Sequence, residues 1–377
     1  MADWHTHVFT STYASDVSGV CSILYELGGM SVLHDPSGCN STYTTHDEPR
    51  WYDTDSLMFV SGLDEMSAVF GDDTDIIDNT VQAARQLQPR FITLCGASIP
   101  HIIGFDYKGV ASIIERRTGI PVIPVKTDGI RSYVSGCGLG AKAWIERFAK
   151  ECEKKKNAVN LMGVTPIDFC KEELVKALEE NVKDLGFSIQ CTFAYGNTFA
   201  QLQEIKGAEG NLVVSSAGRI PAAYLYKKEG MPYVEGVITG RYMAQRIQEC
   251  MREAIATKQN KIAYDCKEGT GEIVVIGEEI YARSMASEIN HSSFGCKAVA
   301  LYPDVDRGLD EDELLKACSK AETVIADPLF SNCIDPAKTK LIGIPHVGYS
   351  GRIYTKQTLV FTAKEFHIED LLKEGKI

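Results

Sequence analysis

Apolar residues run in blocks of four to six along most of the chain, and amphipathic stretches of helix length separate the blocks. "RFITLCG" reads as a buried strand, "DYKGVASIIERRTG" as a helix and "IPVIPV" as the next strand. The pattern returns as "NAVNLMGV", the helix "KEELVKALEENVKDLG" and "FSIQCTF", and again as "GNLVVSS" before the helix "PAAYLYKKEG". It returns once more as "GEIVVIG", "EEIYARSMASEINH" and "CKAVALY", and ends on the strands "ETVIAD" and "KLIGI". Strand and helix in alternation mean βαβ units and parallel sheets. The strands are apolar throughout, as they must be where helices cover both faces of a sheet. Polar stretches at 150–158 and 256–271 interrupt the pattern and divide the chain into three doubly wound α/β domains. The expected bounds are 1–155, 156–257 and 258–350, with the segment 351–377 packing back on the first domain.

Composition narrows the function. A chain of 377 residues is too long for one ordinary core, and 44% apolar with 24% charged residues is globular composition. The net charge of −12 argues against a basic nucleic-acid footprint. No run of about 18 apolar residues occurs, so no membrane span is expected. The opening "MADWHTHVFTSTYASD" lacks a signal pattern, and the expected location is cytoplasmic.

Twelve cysteines in such a compartment need an account other than disulfides. No Cys-x-x-Cys occurs, so a metal site would have to collect thiolates from separate strand ends. Cys152, Cys250 and Cys318 fall on helix-like stretches and read as small apolar residues. Cys39 and Cys95 differ. Each closes an apolar strand, Cys39 through the turn formers "DPSG" and Cys95 directly after "FITL". Ligands of doubly wound sheets sit at the carboxyl ends of strands. No Gly-x-x-x-x-Gly-Lys-Ser/Thr is present, so the chain carries no nucleotide loop of that type. "GCGLG" at 136–140 is read as opening a helix and is a weak phosphate candidate, without the dinucleotide fingerprint.

Four stretches carry a family resemblance. "GVCSILYELGGMSVLHDPSGC" resembles the opening of nitrogenase component 1-type proteins, whose helix and strand lead into His-Gly-Pro-x-Gly-Cys. "GLDEMSAVFGDDTDIIDNTVQAARQLQPRFITLCGASIPHIIGFD" is similar to their second block, "NLVVSSAGRIPAAYLYKKEGMPYVEGVITG" to the middle-domain block and "LIGIPHVGYSG" to the last strand end. The resemblance spans nearly the whole chain in the family's order. That family includes the nitrogenase proteins, cofactor-assembly scaffolds, light-independent protochlorophyllide reductases and a small homodimeric reductase of a nickel tetrapyrrole. The resemblance implies three Rossmann-like domains around a cavity. It also implies an iron–sulfur cluster shared across a dimer interface, either [4Fe–4S] or a larger eight-iron type. A separate iron protein would hydrolyse the ATP and supply electrons in an oxygen-free setting.

Carried over by position, Cys39 and Cys95 match cluster ligands. The family's third cysteine falls on Ser15 in "SDVSG", and Asp16 adjoins it, while Cys21 lies six residues on in the first turn of a helix. The third ligand therefore stays open among Cys21, Ser15 and Asp16. Gly38 lets backbone approach the cluster, and His34 either faces the cluster or caps the turn. Asp35 stands where the family has glycine. The nitrogenase cofactor cysteine is replaced by Ser215 or Ser216, so that cofactor is not expected. His346 and Arg219 are the candidate catalytic walls of the cavity. The resulting expectation is a homodimeric reductase component acting on a small, tetrapyrrole-like or unknown substrate. The alternative is a scaffold that assembles or transfers a metal cluster.

Overall fold

The structure, a computed structural model, describes residues 14–36, 48–293, 297–303, 311–362 and 366–374. Its strands form three sheets. The first holds β1 (Met30–His34), β2 (Leu57–Val60), β3 (Ile92–Gly96) and β4 (Val122–Pro124) in the order β2-β1-β3-β4. The second holds β5 (Ala158–Met162), β6 (Ser188–Thr192), β7 (Gly210–Val213), β8 (Tyr233–Glu235) and β9 (Lys261–Ile262) in the order β6-β5-β7-β8-β9. The third holds β10 (Ile273–Ile276), β11 (Ala298–Leu301), β12 (Thr323–Ala326) and β13 (Lys340–Gly343) in the order β11-β10-β12-β13. Every strand pairing in these sheets is parallel.

All three sheets share one winding. The chain lays its first strand, places the second on one side and crosses to the other side for the third. A crevice opens where the winding reverses, at the carboxyl ends of the first and third strands. The three switch points are β1/β3, β5/β7 and β10/β12.

Two expectations on organisation change. β9 pairs with β8, so the middle sheet runs to Ile262, past the boundary at 257. The C-terminal segment packs mainly on the middle and third units, not the first. Lys171 donates to the Thr358 carbonyl at 3.0 Å, the Phe361 ring meets Phe169 and Tyr281, and Lys340 donates to the Leu372 carbonyl at 3.0 Å. Arg352 reaches the first unit, stacked over the Tyr52 ring.

Period-two alternation sorts the first sheet's side chains. Met30, Val32, Ile92 and Leu94 join the core under the helices Thr74–Leu87 and Tyr107–Thr118. Leu33 and Cys95 point the other way, into the core shared with the helices Asp16–Leu24 and Tyr133–Phe148. Those two helices cross at unusually close range. A Cβ on Gly136 would lie 1.8 Å from the Asp16 carbonyl oxygen, and one on Gly19 would lie 2.2 Å from that of Tyr133. The glycine-rich "GCGLG" thus lies inside a helix that starts at Tyr133, and does not open one. Gly136 meets Asp16, Gly138 meets Ile220 and Gly140 meets Ile23, so packing accounts for all three and the phosphate reading falls away.

Candidate functional site

The first switch point gathers sulfur. Register pairs Leu33 with Cys95 and His34 with Gly96, so both strands end at one level. Cys95 is fully buried, and Cys21, on the second turn of the Asp16–Leu24 helix, is 1% exposed. The Cys21 thiol neighbours that of Cys95, and its presence, and then burial, hold the Cys95 thiol well above its usual range. Deprotonating Cys95 therefore needs a compensating positive charge, which a metal would bring. Asp16 sits close by, buried, and its carboxylate accepts the Asp128 and Gly129 N–H groups at 2.9 Å each. Burial pushes its pKa up to about 6. Ser15 caps the helix in extended backbone and bridges to Ser132. Cys39 and Gly38 lie outside the described residues.

His34 is packed at the sheet end. Its Nδ1 lies 2.9 Å from the Ser61 hydroxyl, and its ring lies 4.2 Å from that of Phe105. Burial lowers its pKa to about 4, so the ring is neutral at physiological pH. Beside this sheet end, short helices follow β2 and β3 directly and leave apolar side chains in solvent. Met66, Val69 and Phe70 of Glu65–Phe70 are 64%, 79% and 73% exposed, and Ile102 of Ser98–Ile103 is 76% exposed. Apolar exposure on this scale, on two touching helices, marks an interaction surface.

The second and third switch points face one another across a small cavity lined by Asp168, Val214, Ser215, Gly277, Glu278, Tyr281, Ile344 and His346, among others. Its volume, taken for the centres of water-sized spheres, is about 20 Å³, room for one water. Asp168 lies in the loop after β5, Glu278 after β10 and His346 after β13. Asp168 accepts from the Tyr133 hydroxyl of the first unit, from the Thr165 hydroxyl at 2.7 Å, and faces His346 Nε2 at 3.2 Å. The Gly348 N–H donates to His346 Nδ1 at 3.0 Å, so in the neutral ring the proton sits on Nε2 and points at Asp168. Asp327 fixes the same turn, accepting the His346 N–H and the Ser350 hydroxyl at 2.7 Å each. Glu278 accepts the Ser216 N–H at 2.7 Å and the Tyr281 N–H at 3.0 Å, one on each carboxyl oxygen.

His346 lines the cavity wall. Arg219 lies elsewhere. Its guanidinium grips Glu235 at 2.8 and 3.0 Å, and also bonds Glu279 and, at 3.4 Å, the Tyr264 hydroxyl. That network joins the middle and third units and leaves the cavity, among the described residues, without an arginine or lysine on its wall. Asp168, Glu278 and Tyr133 escaped the sequence reading. The strand-end rule that singled out Cys39 and Cys95 would have found Glu278 behind "IVVIG" had it been applied to the third sheet.

Three parallel sheets of one winding, with polar groups gathered at their switch points, define a three-unit α/β protein built to bind at strand ends. A family model described as Nitrogenase component 1 type Oxidoreductase matches residues 19–318, and the chain belongs to that family. It is 19% identical over 324 residues to the nitrogenase iron-molybdenum cofactor biosynthesis protein NifE of Clostridium pasteurianum, covering 78% of this chain and 69% of that one. It is 21% identical over 272 residues to NifE of Methanococcus maripaludis, covering 65% of this chain and 55% of the relative. A light-independent protochlorophyllide reductase chain of Bradyrhizobium sp. is 25% identical over 186 residues, 45% of this chain and 35% of that one. The solved structure "Nitrogenase Cp1 at pH 6.5" shares the fold at a TM-score of 0.62 and 14% identity, over 99% of this chain and 94% of that one. Among the described residues no helix is long and apolar enough to cross a membrane.

Proposed function

We propose that this chain is the catalytic component of a nitrogenase-like reductase. It takes electrons from a separate ATP-dependent iron protein through an iron–sulfur cluster held at a homodimer interface, and a small substrate is reduced in the cavity between the three units. One observation carries the reading: Cys21 and Cys95 meet at the first switch point, beside an exposed apolar surface. Paired buried thiols are the donor type such a cluster takes. Among the described residues no set of three or more His, Cys, Asp or Glu side chains converges as a metal site. The remaining ligands are assigned to Cys39 and to a second copy of the chain, since a two-fold axis doubles every donor. Cys21 is the third ligand in preference to Asp16, whose two oxygens are engaged by backbone N–H groups, and to Ser15. A bound cluster would supply one-electron storage and transfer. The chain's own part is to hold the thiols still, exclude water from them and present the apolar helices Glu65–Phe70 and Ser98–Ile103 to the electron donor.

The similarity to NifE favours a second reading, a scaffold that assembles or passes on a metal cluster. The cavity speaks against a preformed anionic cluster there, since its wall carries two carboxylates and, among the described residues, no cationic arginine or lysine. A tetrapyrrole-sized substrate would require the units to part, given room for one water as they stand.

The test is anaerobic purification with iron and sulfide analysis and electron paramagnetic resonance, on the wild type and on Cys21→Ala, Cys39→Ala and Cys95→Ala. Loss of stoichiometric iron in Cys95→Ala and reduction of the cluster only with iron protein, ATP and Mg²⁺ are expected. Full iron retention in the Cys39/Cys95 double variant would refute the cluster site. Metal transfer to an acceptor without donor-dependent turnover would favour the scaffold.

A further inference from the structure

The cavity between the middle and third units holds two carboxylates whose surroundings differ. Asp168 has three side-chain partners: the Tyr133 hydroxyl, the Thr165 hydroxyl at 2.7 Å and His346 Nε2 at 3.2 Å. All three are groups that can donate to a carboxylate. Glu278 has none of these. Each of its oxygens takes one backbone N–H, at 2.7 and 3.0 Å, and the residue is 6% exposed on a wall without arginine or lysine among the described residues. The backbone bonds fix the carboxyl group's orientation without neutralising it. Two buried carboxylates on one small cavity cannot both ionise cheaply, and the one with fewer donors keeps the proton.

We propose that Glu278, sharing this cavity with the Asp168 carboxyl group and holding fewer side-chain donors, is its proton donor, and that it delivers the proton a bound substrate takes up with each electron. The inference rests on the reductase reading for its substrate, but not for the protonation of the pair. In the step, the Glu278 O–H bond breaks and a bond from hydrogen to the substrate forms. The carboxyl becomes a carboxylate, the electron comes from the low-potential donor, and a proton from bulk solvent, relayed by a water entering the cavity, restores the carboxyl group. The groups facing Glu278 are Asp168 from the loop after β5, Tyr133 from the first unit, Tyr281 from its own helix and His346 from the loop after β13. Burial, and then the Asp168 charge, push the Glu278 pKa up to about 7, which agrees with this assignment.

Infrared difference spectroscopy of the full chain across pH 7 reads the pair without turnover. A protonated-carboxyl band is expected that fades as pH rises through neutrality, that is missing in Glu278→Gln, and that fades at lower pH in Asp168→Asn, where the like charge is gone. A titrating band that survives unchanged in Glu278→Gln overturns the proposal. Should that variant not fold, Asp168→Asn decides alone, and an unmoved band counts against the pair. Under donor-driven turnover, Glu278→Gln should lose about 100-fold or more in kcat with little change in KM, since general acids contribute on that scale. Its remaining activity should no longer fall with rising pH near neutrality, as the wild type's does. A fully active Glu278→Gln with the wild-type pH profile overturns the delivery step, whereas a wild type that no iron protein can drive fails the reductase reading and leaves the infrared result standing.

Discussion

Replacing Gly136 by alanine tests the crossing on which the thiol site depends. The added methyl would lie 1.8 Å from the Asp16 carbonyl oxygen and 2.5 Å from its carbon, while real Cβ contacts essentially never fall under 3.0 Å. Both obstacles are backbone, so no side chain can rotate away, and the helices must part by more than an ångström. Overpacking of a core costs about 1–3 kcal/mol, and a forced backbone shift belongs at the upper end. Alanine recovers up to about 1 kcal/mol through helix propensity. The net loss expected is about 2 kcal/mol. A chain of three units need not unfold in one step, so the assay is amide hydrogen exchange read on peptides covering 16–24 and 133–148. Where exchange follows local opening, 2 kcal/mol means about 30-fold faster exchange. Gly19→Ala opposes Gly136 across the same crossing and should act alike. The double variant should cost less than the sum, because one separation admits both methyls. The parted helix carries Cys21 away from Cys95, so iron binding should weaken as well. Exchange in Gly136→Ala at or below the wild-type rate would refute the close crossing.

Arg219→Met removes the guanidinium that Glu235 and Glu279 share between the middle and third units, leaving buried Glu235 without its cation and Glu279 with Arg283 alone. A loss of about 3 kcal/mol in thermal or urea unfolding is expected, largely restored by adding Glu235→Gln and Glu279→Gln, and wild-type stability would contradict it. His34 ties stability to acid pH. Its pKa is lowered from 6.5 to about 4, so above 6.5 the ring is neutral in both folded and unfolded chains and costs nothing. As pH falls from 6.5 towards 4 only the unfolded chain takes up the proton, and stability should drop by about 3 kcal/mol. Urea midpoints across that range should fall less steeply in His34→Asn, and parallel curves would show that the ring is not buried neutral.

Much of the fold was legible because its strands are buried on both faces and read as unbroken apolar runs. The half-exposed edge strand β2 and the short β8 and β9 were not, since an edge or a two-residue bridge leaves little pattern. The helix Tyr133–Phe148 was placed too late because its glycines look like a loop in sequence and acquire meaning only against the Asp16–Leu24 helix. Cys95 and His346 were legible as residues at strand ends. Arg219 follows a strand too, but its long side chain is drawn to two carboxylates from other elements, and sequence order says nothing of that attraction. Tyr133 reaches Asp168 across 35 residues and two units, a contact made by helix packing and invisible to local spacing.

That helix is also what links the two ends of the proposed chemistry. Its first residue, Tyr133, donates to Asp168 in the cavity, and one turn on Gly136 seats it against the helix that carries Cys21. Sulfur gathers at the switch point of the first sheet, and carboxylates at those of the second and third. The same winding, used three times, thus separates the groups suited to electrons from the groups suited to protons. A change in the distance between the Asp16–Leu24 and Tyr133–Phe148 helices would be felt at both the thiol pair and the Tyr133–Asp168 bond. In the proposed function, electron arrival and proton holding would be tied through this one helix, with glycine where any side chain would force the crossing apart.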